Sequence, residues 1–140
     1  MKRLILPLLL SVCLPAAVRA QSPEEVLHLL DSCRVSASYS FLYNDLRCSG
    51  SVVAQKPFYK VSTGGMEIYC DGHCRWTVDR KEKEVYVEAA EGEQTLRKYM
   101  DRLKDVRLYD VKTAAPDADV AMFRFDVSSL GPDWVVTDLR

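Results

Sequence analysis

The chain is short of the residues that most enzymes use for proton transfer and nucleophilic attack. It holds only two histidines, His28 and His73, the first on a predicted helix flank and the second in a predicted turn. No Ser-His-Asp or Cys-His set suggests itself, and the carboxylates fall in loops and on helix backs, where they are solvated. An enzyme is therefore not expected. Basic excess is also lacking: 19 Lys and Arg stand against 20 Asp and Glu, for a net charge of −1, which offers nothing to nucleic acid. No internal repeat or low-complexity tract is present, and no Cys-x-x-Cys spacing points to a redox dithiol. Cys70-x-x-His73-Cys74 has the ligand types of a zinc site but lacks a sequence-evident fourth ligand. Neither a metal nor another cofactor is expected.

What is present begins with a leader. Lys2 and Arg3 precede the apolar run Leu4 to Leu14, and Val18-Arg19-Ala20 offers a cleavage site, so residues 1–20 read as a secretory signal peptide and 21–140 as one domain. The apolar run is too short to span a bilayer comfortably. Leu10-Ser11-Val12-Cys13 approaches a lipobox, but Val12 is bulky where a small residue is wanted. Cys33, Cys48, Cys70 and Cys74 follow the leader, and in an oxidising compartment they are free to pair.

The most informative stretch is Met66 to Val78, which alternates on both sides of an Asp-Gly turn signal and reads as a β-hairpin. A three-residue loop, Asp71-Gly72-His73, sets Cys70 opposite Cys74, Ile68 opposite Trp76 and Met66 opposite Val78, all on one dry face. A two-residue loop, Asp71-Gly72, is the competing register and mixes the faces. In a simple meander Cys33, Cys70 and Cys74 share one end of the sheet, which favours a Cys70–Cys74 disulfide ahead of Cys33 with either, and leaves Cys48 free.

Around this hairpin the period of the pattern changes twice. Ser22-Pro23-Glu24-Glu25 is a helix start with a capping box, and Val26, Leu29, Leu30 and Cys33 give an amphipathic helix of about three turns. Strands are predicted at Val35 to Tyr43, Cys48 to Lys56, Phe58 to Thr63 and Glu84 to Ala89. Glu91 to Lys104 reads as a second amphipathic helix, with Leu96, Tyr99, Met100 and Leu103 on one face. Strands at Val106 to Lys112, Met122 to Val127 and Trp134 to Thr137 close the chain. The fold class is α+β: a curved antiparallel sheet or incomplete β-barrel whose dry face is covered by amphipathic helices, an arrangement that often leaves an apolar cavity.

The order of the first helix, Val35-Ser36-Ala37-Ser38-Tyr39, Gly50, Lys56-Pro57, Asp71-Gly72, Trp76 and Glu84-Val85-Tyr86-Val87 resembles the periplasmic outer-membrane lipoprotein carriers, the LolA-like chaperones. Phe123 to Val127 and Asp138-Leu139-Arg140 look like the ends of Bacteroidota-type variants. The resemblance implies a half-barrel with helical lids, holding lipoprotein acyl chains between an inner-membrane releasing transporter and an outer-membrane acceptor. A periplasmic monomer with transient membrane contact is implied. The expected cavity wall is Phe58, Met66, Ile68, Trp76, Val78, Val85 and Val87, for which ordinary core is the alternative. Lys56 matches an arginine that helps retain cargo, without its planar fork. Only about thirty residues separate Val87 from the Phe123 strand, fewer than typical members have there. A shortened, non-transporting envelope binding module is therefore the alternative function.

Overall fold

The computed structural model describes residues 21–90 and 96–140; the expected leader and the first residues of the second predicted helix lie outside them. Ser22 caps helix α1 (Pro23–Leu29), its hydroxyl accepting the Glu25 N–H at 3.3 Å, with Pro23 in the first turn. The helix has seven residues, shorter than predicted, and the chain then turns into β1 (Arg34–Tyr43). Asn44 and Asp45, both at positive φ, make the tight turn into β2 (Leu46–Gln55). The Lys56-Pro57 corner, β3 (Phe58–Thr63), the Gly64-Gly65 turn, β4 (Met66–Cys70), β5 (Cys74–Asp79) and β6 (Glu84–Ala89) continue the meander.

Helix α2 (Leu96–Asp101) leads into β7 (Lys104–Ala114), which returns to the far side of β1. Two single 3-10 turns, Ala121–Phe123 and Val127–Ser129, stand where a strand at Met122 to Val127 is predicted. Asp126 stops extension there by accepting the Ser128 N–H at 3.0 Å. The last strand, β8 (Val135–Asp138), joins the other edge. The result is one open sheet of eight strands in the order β7-β1-β2-β3-β4-β5-β6-β8. It is mixed rather than purely antiparallel, because β8 runs parallel to β6.

The central hairpin departs from expectation by one residue. Cys70 pairs with Arg75, Tyr69 with Trp76 and Glu67 with Val78. Asp71 sets this register: its Oδ1 accepts the N–H groups of His73 at 2.9 Å and Cys74 at 2.8 Å, and its own N–H donates to the Cys74 carbonyl at 3.2 Å. Gly72-His73 is thus the two-residue turn, with Gly72 at φ 86°. A slip of one residue moves every β5 side chain to the other face. The expected single dry face is therefore two dry half-faces on opposite sides of the sheet.

On the helix side, Val35, Ala37, Tyr39, Val52, Ala54, Tyr59, Val61 and Cys70 form a core with Val26 of α1 and Leu96 and Met100 of α2. On the other side, Tyr69, Val78, Val85 and Val87 form a second core, packed by Trp76, Phe125, Leu130 and Trp134. The segment after β7 crosses this second side as a strap. It is anchored where Phe123, wholly buried, stacks on Phe58 at 5.6 Å and lies under the Arg34 guanidinium at 5.3 Å. Arg34 also donates to Gln55 Oε1 at 2.8 Å and to the Asp119 carbonyl at 2.9 Å.

Candidate functional site

Between α1, α2 and the β2–β3 corner lies a cleft of about 780 Å³. Its floor is a single row of residues across three strands, Ala54, Tyr59 and Cys70, which face one another through the β2–β3 and β3–β4 registers. All three are buried. Leu27 of α1, Leu30 at its C-cap, Leu96 of α2 and Ala90 give apolar walls. At one end Pro57 meets the hairpin turn, where a side chain on Gly72 would come within 3.1 Å of Pro57 Cγ, so the glycine lets the corner and the turn close together.

The rim is charged. Lys56 Nζ reaches Asp31 Oδ1 at 3.5 Å, joining the sheet corner to the end of α1, and Arg97 of α2 grips both Glu24 oxygens of α1 at 2.9 and 3.1 Å. Both pairs are exposed, so they position the helices and add little stability. On the floor, burial pushes the Tyr59 hydroxyl up to about 12, helped by the neighbouring Cys70, and burial likewise pushes the Cys70 thiol up. At neutral pH the floor therefore presents neutral groups, suited to an apolar guest and poor in nucleophile. No group of side chains able to hold a metal ion occurs among the described residues.

The seven residues expected to form one cavity wall separate into several places. Phe58 borders the cleft. Ile68 packs at the margin of the helix-side core. Met66 lines a shallow depression with serines and glycines beside the Gly64-Gly65 turn. Trp76, Val78, Val85 and Val87 belong to the second core, under the strap. The one-residue register shift carries Trp76 and Val78, and with them Val85 and Val87, to the face opposite Met66 and Ile68, while Phe58 stacks on Phe123 because its neighbour Tyr59 takes the helix-side position paired with Cys70. Lys56 does stand at the cleft mouth.

The register also undoes the expected Cys70–Cys74 disulfide. Alternation puts Cys70 on the helix side with Arg75, and Cys74 on the strap side with Trp76. Cys33, Cys48, Cys70 and Cys74 are all free thiols. Leu27, Leu30, Ala54, Cys70 and Ala90 were not expected as cavity residues. The signal for Ala54 and Cys70 is their position in register with Tyr59, set by the Lys56-Pro57 corner and the Gly64-Gly65 turn.

No protein-family model matches the chain, and no curated protein matches it in sequence.

Proposed function

We propose that the protein is a periplasmic carrier that shields lipoprotein acyl chains during transfer from the inner to the outer membrane. In this reading the open sheet is a curved half-barrel, α1 and α2 are its lids, and the cleft beneath them is the cargo site. The observation that carries the proposal is the cleft itself: about 780 Å³, with an apolar floor and walls under two short helices joined to each other by the exposed Arg97–Glu24 pair. Pockets that enclose small ligands span roughly 300–1,000 Å³, and each methylene removed from water gains about 0.8 kcal/mol. A few methylenes placed on this floor suffice for binding that is still reversible. The leader and the motif order support export and the carrier reading. The upstream transporter and downstream acceptor follow from the resemblance, and a monomer is the working unit.

The test is uptake of a fluorescent acyl probe by residues 21–140, together with native mass spectrometry of protein purified from the envelope. Saturable uptake, displaced by diacylated peptide and abolished by Leu30→Glu in a folded variant, is the expected result. Folded, lipid-free protein that ignores the probe would sink the carrier and leave the shortened binding module.

A further inference from the structure

The two most exposed large apolar side chains among the described residues are Tyr43, at 65 %, and Leu46, at 69 %. They are not scattered. They face each other as the last rung of the β1–β2 hairpin, on either side of the Asn44-Asp45 turn. The same face of β1 carries Tyr39 and Phe41, stacked at 5.8 Å and buried, so the apolar strip runs unbroken out of the core and into solvent at the tip.

On the opposite face, Arg47 and Lys104 flank Leu42 one residue back from the tip and Arg107 pairs with Ser40 three residues back, all three cations exposed. Asp105 bridges Arg47 and Arg107. With Asp45 in the turn, Arg47, Lys104 and Arg107 stand against Asp45 and Asp105 beside the tip, a local net charge of one positive unit. An apolar apex backed by cations is the arrangement that enters the headgroup layer of an anionic bilayer. Leucine meets the acyl boundary, tyrosine sits with its hydroxyl among the headgroups, and the cations meet lipid phosphates.

We propose that the β1–β2 hairpin tip is a membrane-docking element for anionic lipid surfaces, entering tip-first through Tyr43 and Leu46. Its chemistry is separate from that of the cleft, and it gives the carrier reading a place of membrane contact. The short turn favours this use: two residues at positive φ hold the strands close, so the pair is presented without a mobile loop.

The experiment is co-sedimentation of residues 21–140 with vesicles of phosphatidylglycerol and phosphatidylethanolamine, against phosphatidylcholine vesicles, at low and high salt. The wild-type protein is expected to bind the anionic vesicles, less so at high salt. Tyr43→Ser with Leu46→Ser is expected to weaken binding about tenfold while the thermal midpoint and acyl-probe uptake stay at wild-type values. Absence of vesicle binding, or binding that the double variant leaves unchanged, would overturn the proposal. So would a self-association lost in the same variant, which would assign the tip to a second copy of the chain. Probe uptake is read on the same samples, so loss of the docking tip and loss of the cargo site are told apart.

Discussion

The ring of Tyr39 occupies the space a side chain at position 50 would need: a Cβ on Gly50 would lie 2.8 Å from Tyr39 Cε1 and 2.2 Å from the Ser62 carbonyl oxygen. Gly50 is the cross-strand partner of both Tyr39 and Thr63, so three strands close on it. Gly50→Ala is expected to destabilise the fold by about 1–3 kcal/mol through overpacking, measured by urea denaturation. Gly64→Ala meets no atom within 4 Å but must keep φ at 55°, and about 1–2 kcal/mol is expected there from backbone strain alone.

Phe123 holds the strap. Removing its ring leaves a hole between Phe58 and Arg34, and Phe123→Ala is expected to cost about 3–5 kcal/mol. Trp76→Ala thins the same side of the sheet and is expected to lower stability without changing acyl-probe affinity, since Trp76 packs against the strap-side core. A loss of affinity in folded Trp76→Ala protein would return that residue to the cargo wall.

In the proposed carrier, Lys56 bears on release rather than folding. Its pair with Asp31 is two-thirds exposed on both sides, so Lys56→Ala is expected to change stability by less than about 1 kcal/mol and to speed dissociation of a bound acyl probe. Stopped-flow release into excess unlabelled lipid measures this. An unchanged release rate would make Lys56 a corner lysine only.

Thiol chemistry separates the cysteines. Cys70 is buried, and burial holds its thiol above the usual range, so it is expected to resist alkylation at pH 8 until the protein unfolds. Cys33, Cys48 and Cys74 are partly exposed and are expected to react first. Mass-mapped labelling in native and denaturing buffer reads the order, and a Cys70 that labels with the others would mean that the floor opens readily.

Glu67 makes stability depend on acid. Its hydrogen bond from Arg80 holds the carboxyl below its ordinary value near 4.5. A depressed carboxylate contributes stability above the unfolded value, and that contribution fades as pH falls through the folded one. Wild type and Glu67→Gln are therefore expected to differ at pH 6 and to converge at the acid end of the titration, followed by thermal melts. A constant gap across the whole range would assign the effect to packing.

Much of the sheet was legible in the alternation of its residues. Phe58–Thr63 and Glu84–Ala89 fall where the period of two puts them, and the Ser22-Pro23 start was readable from capping chemistry. The hairpin register was not, because a three-residue loop and the Gly72-His73 turn both place glycine at positive φ. The choice between them rests on what the Asp71 carboxylate accepts. That choice decided which side of the sheet Trp76 and Val78 line; Ala54 and Cys70 become floor residues through the separate pairings of β2 with β3 and of β3 with β4, set at the Lys56-Pro57 corner and the Gly64-Gly65 turn. The strap was missed for a different reason. Phe123, Phe125 and Trp134 suggest strands by composition, but Asp126 diverts the backbone into turns, and a cover of irregular chain has no period to read.

Tyr69 and Cys70 are sequence neighbours that face opposite cores, one beneath Phe125 of the strap and one beneath the cleft. Strand β4 is therefore a shared wall, with a single peptide plane between the two compartments. In the proposed carrier, α1 and α2 would move on one side of this wall while the other side stays packed by the strap. The converse is a matter of shared backbone: Tyr69, packed under Phe125, and Cys70, on the cleft floor, hang from adjacent residues of one strand, so a change of packing on the strap side is one residue away from the floor of the cleft.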